Sequence, residues 1–250
     1  MFLFIQRGAI ALYPFDTIRY LRSAMMTAGR IDKDNKAMYA LVSPKDIQLS
    51  SGGVVRLPAT WQEYQALLAR RGDRSVPRIK YSNGEVCLTS PLPVHGRDVS
   101  LIADIVKVLL DYEDKEYDAF TPITMDLPEQ SGIEPDCCFY IDNWRAISGK
   151  KRIDWQADPP PDLVVEIDVT SYTNIEDYLP YQVPEVWLLR ERRLAVYCLQ
   201  DGEYRERTQS QYFPSIQLQE AVSRCLQAAY GRNTSAAIRD LKRQLKRIAE

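Results

Sequence analysis

The chain has 250 residues, 45% of them hydrophobic and 26% charged, and a formal net charge of −2. This fits a soluble globular protein of one domain with appendages, and it excludes a chain-wide polycation built to coat nucleic acid. A single histidine and five cysteines without framework spacing (Cys87, Cys137, Cys138, Cys198, Cys225) argue against a zinc site or a disulfide scaffold and for a reducing, cytoplasmic setting. No apolar run reaches the ~20 residues that a bilayer-spanning helix needs, so no membrane contact is expected.

The first segment, "MFLFIQRGAIALYPF", is interrupted early by Arg7 and lacks the basic start of a signal peptide. With Met25 and Met26 following, an extension upstream of a natural start near Met26 is one of two open readings of residues 1–25, the other being a native part of the chain, and 1–56 is read as extension plus loop. Thr60 with Glu63 three residues on is a capping box that opens a helix striped by Tyr64, Leu67 and Leu68. "RIKYSNGEVCLTS" is a hairpin about Asn83-Gly84, and a long buried helix follows "PLPV" with Leu101, Ile102, Ile105, Val106 and Leu109. Strands are expected at Ala119 to Leu127, Pro135 to Ile141 and Leu163 to Asp168, then a short helix over Asn174 to Tyr181. "PEVWLLR", "RLAVYCL" and "EYRER" read as consecutive strands, the last two joined by an Asp201-Gly202 turn.

Two helices close the chain, Leu218 to Tyr230 and one capped by Thr234. In the second, Ile238, Leu241, Leu245 and Ile248 form an a/d seam that must pack on the domain or on a second copy, so a homodimer through this helix is one expectation. Arg232 to Arg247 carries six basic residues against one acid, a run that can bind phosphates or merely face solvent. The order of elements makes the chain mixed α/β: a core domain at 57–213 and a helical tail at 214–250.

Two carboxylates interrupt the strand "LVVEID". Glu166 and Asp168 project from one face, roughly 6–7 Å apart, and Asp136 opens another apolar strand after Pro135. If these strands are neighbours, three carboxylates meet at one sheet end, a donor set suited to a hard cation such as Mg²⁺. Solvent-exposed strand ends or salt bridges are the plainer reading of the same spacing.

Taken in order, "GIEPDCCFYI", "PPPDLVVEIDVTS" and "DYLPYQVPEVWLL", with the entry "SNGEVCLTSPLPVHGRDVSLIADIV", resemble the Uma-type restriction endonucleases of the PD-(D/E)XK nuclease superfamily over roughly Leu57 to Phe213. The resemblance implies a restriction-endonuclease-like mixed sheet flanked by helices, with hydrolysis of DNA phosphodiesters dependent on Mg²⁺ or Mn²⁺. It makes Asp136 and Glu166 metal ligands; Asp168, from its own place two residues after Glu166, is read as an auxiliary ligand. His95 and Glu85 match family positions near the site. The superfamily's lysine, however, stands two residues after the acid, where this chain has Asp168. In many relatives it has moved to the next helix, where this chain has Asn174, and no lysine occurs between Lys151 and Lys242. Gln182 occupies a position usually held by glycine. Arg190, Lys150 and Lys151 are the cations offered in its place, and a catalytically weakened DNA- or protein-binding module is the alternative function.

Overall fold

The computed structural model describes residues 3–6, 9–12, 49–121 and 123–249. It divides into two units, Met1–Gln48 and Leu49–Glu250. In the first, β1 (Leu3–Gln6) and β2 (Ala9–Leu12) form an antiparallel pair. The rest of the segment expected to be an upstream extension lies outside the described residues.

The second unit contains two sheets. The capping box is present: the Glu63 amide donates to the Thr60 hydroxyl at 3.2 Å, and the Thr60 amide donates to the Glu63 carboxylate at 2.7 Å, opening α1 (Trp61–Arg71). Asn83 and Gly84, with φ of 52° and 74°, make the tight turn between β4 (Arg78–Ser82) and β5 (Glu85–Thr89). The segment read as a loop before Thr60 contains a strand, β3 (Val54–Pro58), that pairs along β5. Its apolar pattern is short and only half-buried, which is why it resembles a linker. The single strand expected over Ala119 to Leu127 is two: β6 (Asp118–Phe120) joins one sheet, and β7 (Met125–Leu127) joins the other with β8 (Ser131–Ile133). The smaller sheet therefore runs β3-β5-β4-β8-β7.

The larger sheet runs β13-β12-β11-β10-β9-β6, from β9 (Cys137–Tyr140), β10 (Leu163–Asp168), β11 (Glu185–Arg190), β12 (Arg193–Gln200) and β13 (Glu203–Arg207). Only β10 and β11 are parallel. Strict alternation along β10 divides the core. Leu163, Val165 and Ile167 pack with α2 (Pro93–Tyr112) and the closing helices, while Val164 faces Met125, Ile133, Tyr178 and Tyr181 beneath the smaller sheet. A short α3 (Trp144–Ile147) sits between β9 and β10, and a 3₁₀ helix (Ile175–Tyr181) bridges β10 and β11. All five cysteines are buried and free.

The closing helices are α4 (Leu218–Gly231) and α5 (Thr234–Ala249). Asn233 rather than Thr234 caps α5, its side-chain oxygen accepting from the Ala236 amide at 2.9 Å. The apolar seam of α5 is spent inside the chain: Ala237, Leu241 and Leu245 are buried in the main core, and Ile238 packs against it. The side chain of Ile248 lies outside the described residues. A seam used in this way is not free to hold a second copy, so the surface expected to carry a homodimer is already covered. Leu241→Ala should accordingly cost about 2–5 kcal/mol in urea unfolding, while the mass by light scattering stays that of the wild type. No helix among the described residues is long and apolar enough to cross a membrane.

Candidate active site

The antiparallel register of β9 and β10 sets Leu163 opposite Phe139, Val164 opposite Cys138 and Val165 opposite Cys137. Continued one step past the paired residues, this register brings Asp136, at the bend before β9, alongside Glu166. Pro135 has no amide hydrogen to pair and β9 begins only at Cys137, so Asp136, just before the strand, turns its carboxylate onto the Ile167 amide of β10. It is 1% exposed. Its Oδ2 accepts from the Ile167 amide at 2.7 Å and lies 3.1 Å from His95 Nε2, and its Oδ1 accepts from the Arg78 guanidinium. Glu166 is partly buried, and its Oε1 accepts from the Tyr178 hydroxyl.

The cations come from the hairpin. Alternation along β4 buries Ile79 and Tyr81 beneath α1, where Tyr81 stacks on Tyr64 with centroids 5.5 Å apart, and turns Arg78, Lys80 and Ser82 to the other face. Arg78 reaches Asp136. Lys80 reaches Asp177, which also accepts from the Ser82 hydroxyl at 2.8 Å and precedes Tyr178 on the 3₁₀ helix. Beside them Glu134 accepts from the Ile79 amide at 3.1 Å and pairs with Arg71 at 2.5 Å, which anchors β4 against the turn before β9.

This arrangement drives the two acids apart. Burial alone would raise Asp136, but the His95 hydrogen bond and the charges of Arg78 and His95, with the Ile167 amide, hold it below the usual carboxylate range. Burial and the neighbouring Asp136 charge push Glu166 up to about 8, against the opposing effects of Tyr178, Lys80 and Arg78. One carboxylate is thus firmly ionised beside one that holds its proton near neutral pH, a polarisation typical of functional sites.

The expected residues divide. Asp136, Glu166 and His95 come together. Asp168 does not join them: parallel pairing sets it opposite Arg190, which donates to it at 3.0 and 2.6 Å, and the Thr173 amide and hydroxyl take what remains. The expected convergence of three carboxylates is therefore corrected to a pair, because a cation on the adjacent strand holds the third. Among the described residues no group of three His, Cys, Asp or Glu side chains could hold a metal ion. Asn174 caps the 3₁₀ helix, its Oδ1 accepting from the Glu176 amide at 3.3 Å, and Glu85 pairs with Arg56 at 2.9 Å on an exposed edge. Lys150 pairs with Asp158. Gln182 adopts a left-handed conformation, φ 54° and ψ 37°, which accounts for glycine suiting this position. Sequence reasoning missed Arg78 and Lys80. The available signal was two cations alternating with apolar residues in "RIKYS", which by itself reads as an ordinary half-exposed strand.

The pair fits a divalent ion of the Mg²⁺ type, which is held by one or two carboxylates and keeps much of its water. Glu166 Oε2 accepts no hydrogen bond among the described residues, and the proton on this carboxyl marks a site short of positive charge. A family model described as "Putative restriction endonuclease", Uma2, matches residues 61–230. The chain belongs to the Uma2 family. The match takes in the larger sheet, every strand of the smaller one except β3, the acidic pair with Arg78 and Lys80, and α4 up to Tyr230, so the Uma2 region extends beyond Phe213. Restriction-endonuclease-like proteins generally use divalent metal ions. A solved structure, a "putative nuclease belonging to DUF820 from Anabaena variabilis ATCC 29413", is 16% identical with a TM-score of 0.45, covering 75% of this chain and 99% of that one. Comparison with curated proteins gives no match.

Proposed function

We propose that the chain hydrolyses DNA phosphodiester bonds with a divalent ion, Mg²⁺ or Mn²⁺, held by Asp136 and Glu166. The observation that carries this reading is the cross-strand acidic pair set against cations from β4. Asp136 and Glu166 would hold such an ion, which when bound would supply polarisation of the phosphodiester and a more acidic water. Asp136, fixed by His95 and the Ile167 amide, supplies the permanent negative charge, and Tyr178 orients Glu166 so that one oxygen remains free. Lys80 is 30% exposed at its side chain and Arg78 is 23% exposed. Both stand where positive charge can meet a reacting phosphate, in place of the lysine missing from the two expected positions.

One observation favours the second reading, a weakened descendant that binds without cutting. Both oxygens of Asp136 already have protein donors, so Arg78 occupies a charge that an ion would need. Nicking of supercoiled plasmid with Mn²⁺ separates the two. The nuclease reading predicts activity that Glu166→Ala abolishes and Lys80→Met lowers by about 10²-fold. Activity that survives Glu166→Ala belongs to a contaminant, and silence of the wild type with every metal tried supports the binding module.

A further inference from the structure

The exposed face of α5 is not accounted for by the catalytic reading. Arg239, Lys242, Arg243, Lys246 and Arg247 recur at steps of 3, 1, 3 and 1, and all five are exposed. They form one stripe along the helix, opposite the buried Ala237, Leu241 and Leu245. The one acid on the described helix is Asp240, which pairs with Arg243 and with Arg232. Lys242, Lys246 and Arg247 have no carboxylate within 4 Å among the described residues. Three pairs at i, i+4 carry like charge (Arg239 with Arg243, Lys242 with Lys246, Arg243 with Arg247), an arrangement that destabilises a helix unless something anionic lies on it. Attraction to the helix C-terminus accounts for the last turn, Lys246 and Arg247, and not for the three residues before it.

We infer that this stripe binds the phosphate backbone of duplex DNA. The choice of DNA rests on the nuclease reading above; the polyanion chemistry rests on the stripe itself. A basic amphipathic helix can also lie on an anionic membrane, where insertion of its apolar face adds to the attraction of its charges. Here that face is buried in the core, so a lipid surface would meet charge alone. A phosphate backbone needs nothing more, since Lys and Arg bind it by releasing counterions.

The test uses the full chain, a labelled 30-base-pair duplex and EDTA, so that binding is read without hydrolysis. Fluorescence anisotropy is recorded across a salt series for wild type, for Lys242→Gln/Lys246→Gln/Arg247→Gln, and for a control, Arg70→Gln/Arg74→Gln/Arg145→Gln, with the same loss of charge elsewhere. Unchanged melting temperatures verify folding. The stripe variant should bind at least tenfold more weakly at low salt, and its slope of log K against log salt should be shallower by about 2–3, near 0.9 for each phosphate no longer neutralised. The control should match the wild type. An unaltered stripe variant, an equal loss in the control, or a wild type that binds no duplex while binding phosphatidylserine vesicles or RNA more tightly overturns the inference. Plasmid nicking that persists in the stripe variant at high protein concentration leaves the nuclease reading intact.

Discussion

Asp136→Asn should cost about 3–5 kcal/mol of stability, read as a lower urea midpoint, because it breaks a buried ion pair from one side. The wild-type carboxylate is 1% exposed and meets Arg78, His95 and the Ile167 amide. An asparagine keeps the shape but offers no charge to Arg78. Turned to donate, its amide would also confront the Ile167 N–H. The pH dependence has a definite sign. Since Asp136 in the folded chain sits below its ordinary value, its contribution is fully present above the usual carboxylate range and is lost as pH falls through the lowered value. The gap between wild type and variant should therefore be widest near neutral pH and close under strongly acidic conditions. A gap that stays constant down to acid would show that the cost is packing rather than charge.

Glu166→Gln should do the reverse and stabilise the protein at alkaline pH. Between its ordinary value of 4.5 and about 8, the folded chain keeps a proton on Glu166 that the unfolded chain has released. Stability contributed by that proton is fully present below the ordinary value of 4.5 and declines as pH rises to about 8, with a slope of up to about 1.4 kcal/mol per pH unit. Glutamine imitates the protonated acid and removes the decline. Metal-free wild type and variant should melt alike below the ordinary value of 4.5, and the variant should melt higher near pH 8. The same substitution should abolish cleavage. Opposite responses to neutralising two neighbouring carboxylates would be the signature of a site that trades stability for a place to hold positive charge.

Much of this was legible in the chain. The capping box at Thr60, the Asn83-Gly84 turn, the long helix after Pro93 and the strands "LVVEID" and "EVWLLR" are each dictated by local patterns of turn residue, cap and apolar period. Asp136 and Glu166 were legible as well, because carboxylates in buried strands are costly and conspicuous. What was hidden depended on pairing between distant strands. Asp168 looks equivalent to Glu166 by spacing, and only the register against Arg190 removes it from the site. Arg78 and Lys80 lie 58 and 97 residues before the acids they pair with, on a strand with no unusual composition. The a/d seam of α5 fits a second copy as well as it fits α2 and α4, and tertiary packing alone decides between them.

The claim that Asp136 and Glu166 form a divalent-ion site is tested most directly by calorimetric titration of Mn²⁺ at pH 7, in two buffers with different heats of ionisation. Displacing the Glu166 proton should make the wild type bind with release of about one proton, visible as a difference in heat between the buffers. Glu166→Gln should bind far more weakly and release none. Absence of wild-type binding at millimolar Mn²⁺, or the same binding and proton release in Glu166→Gln, would contradict the account.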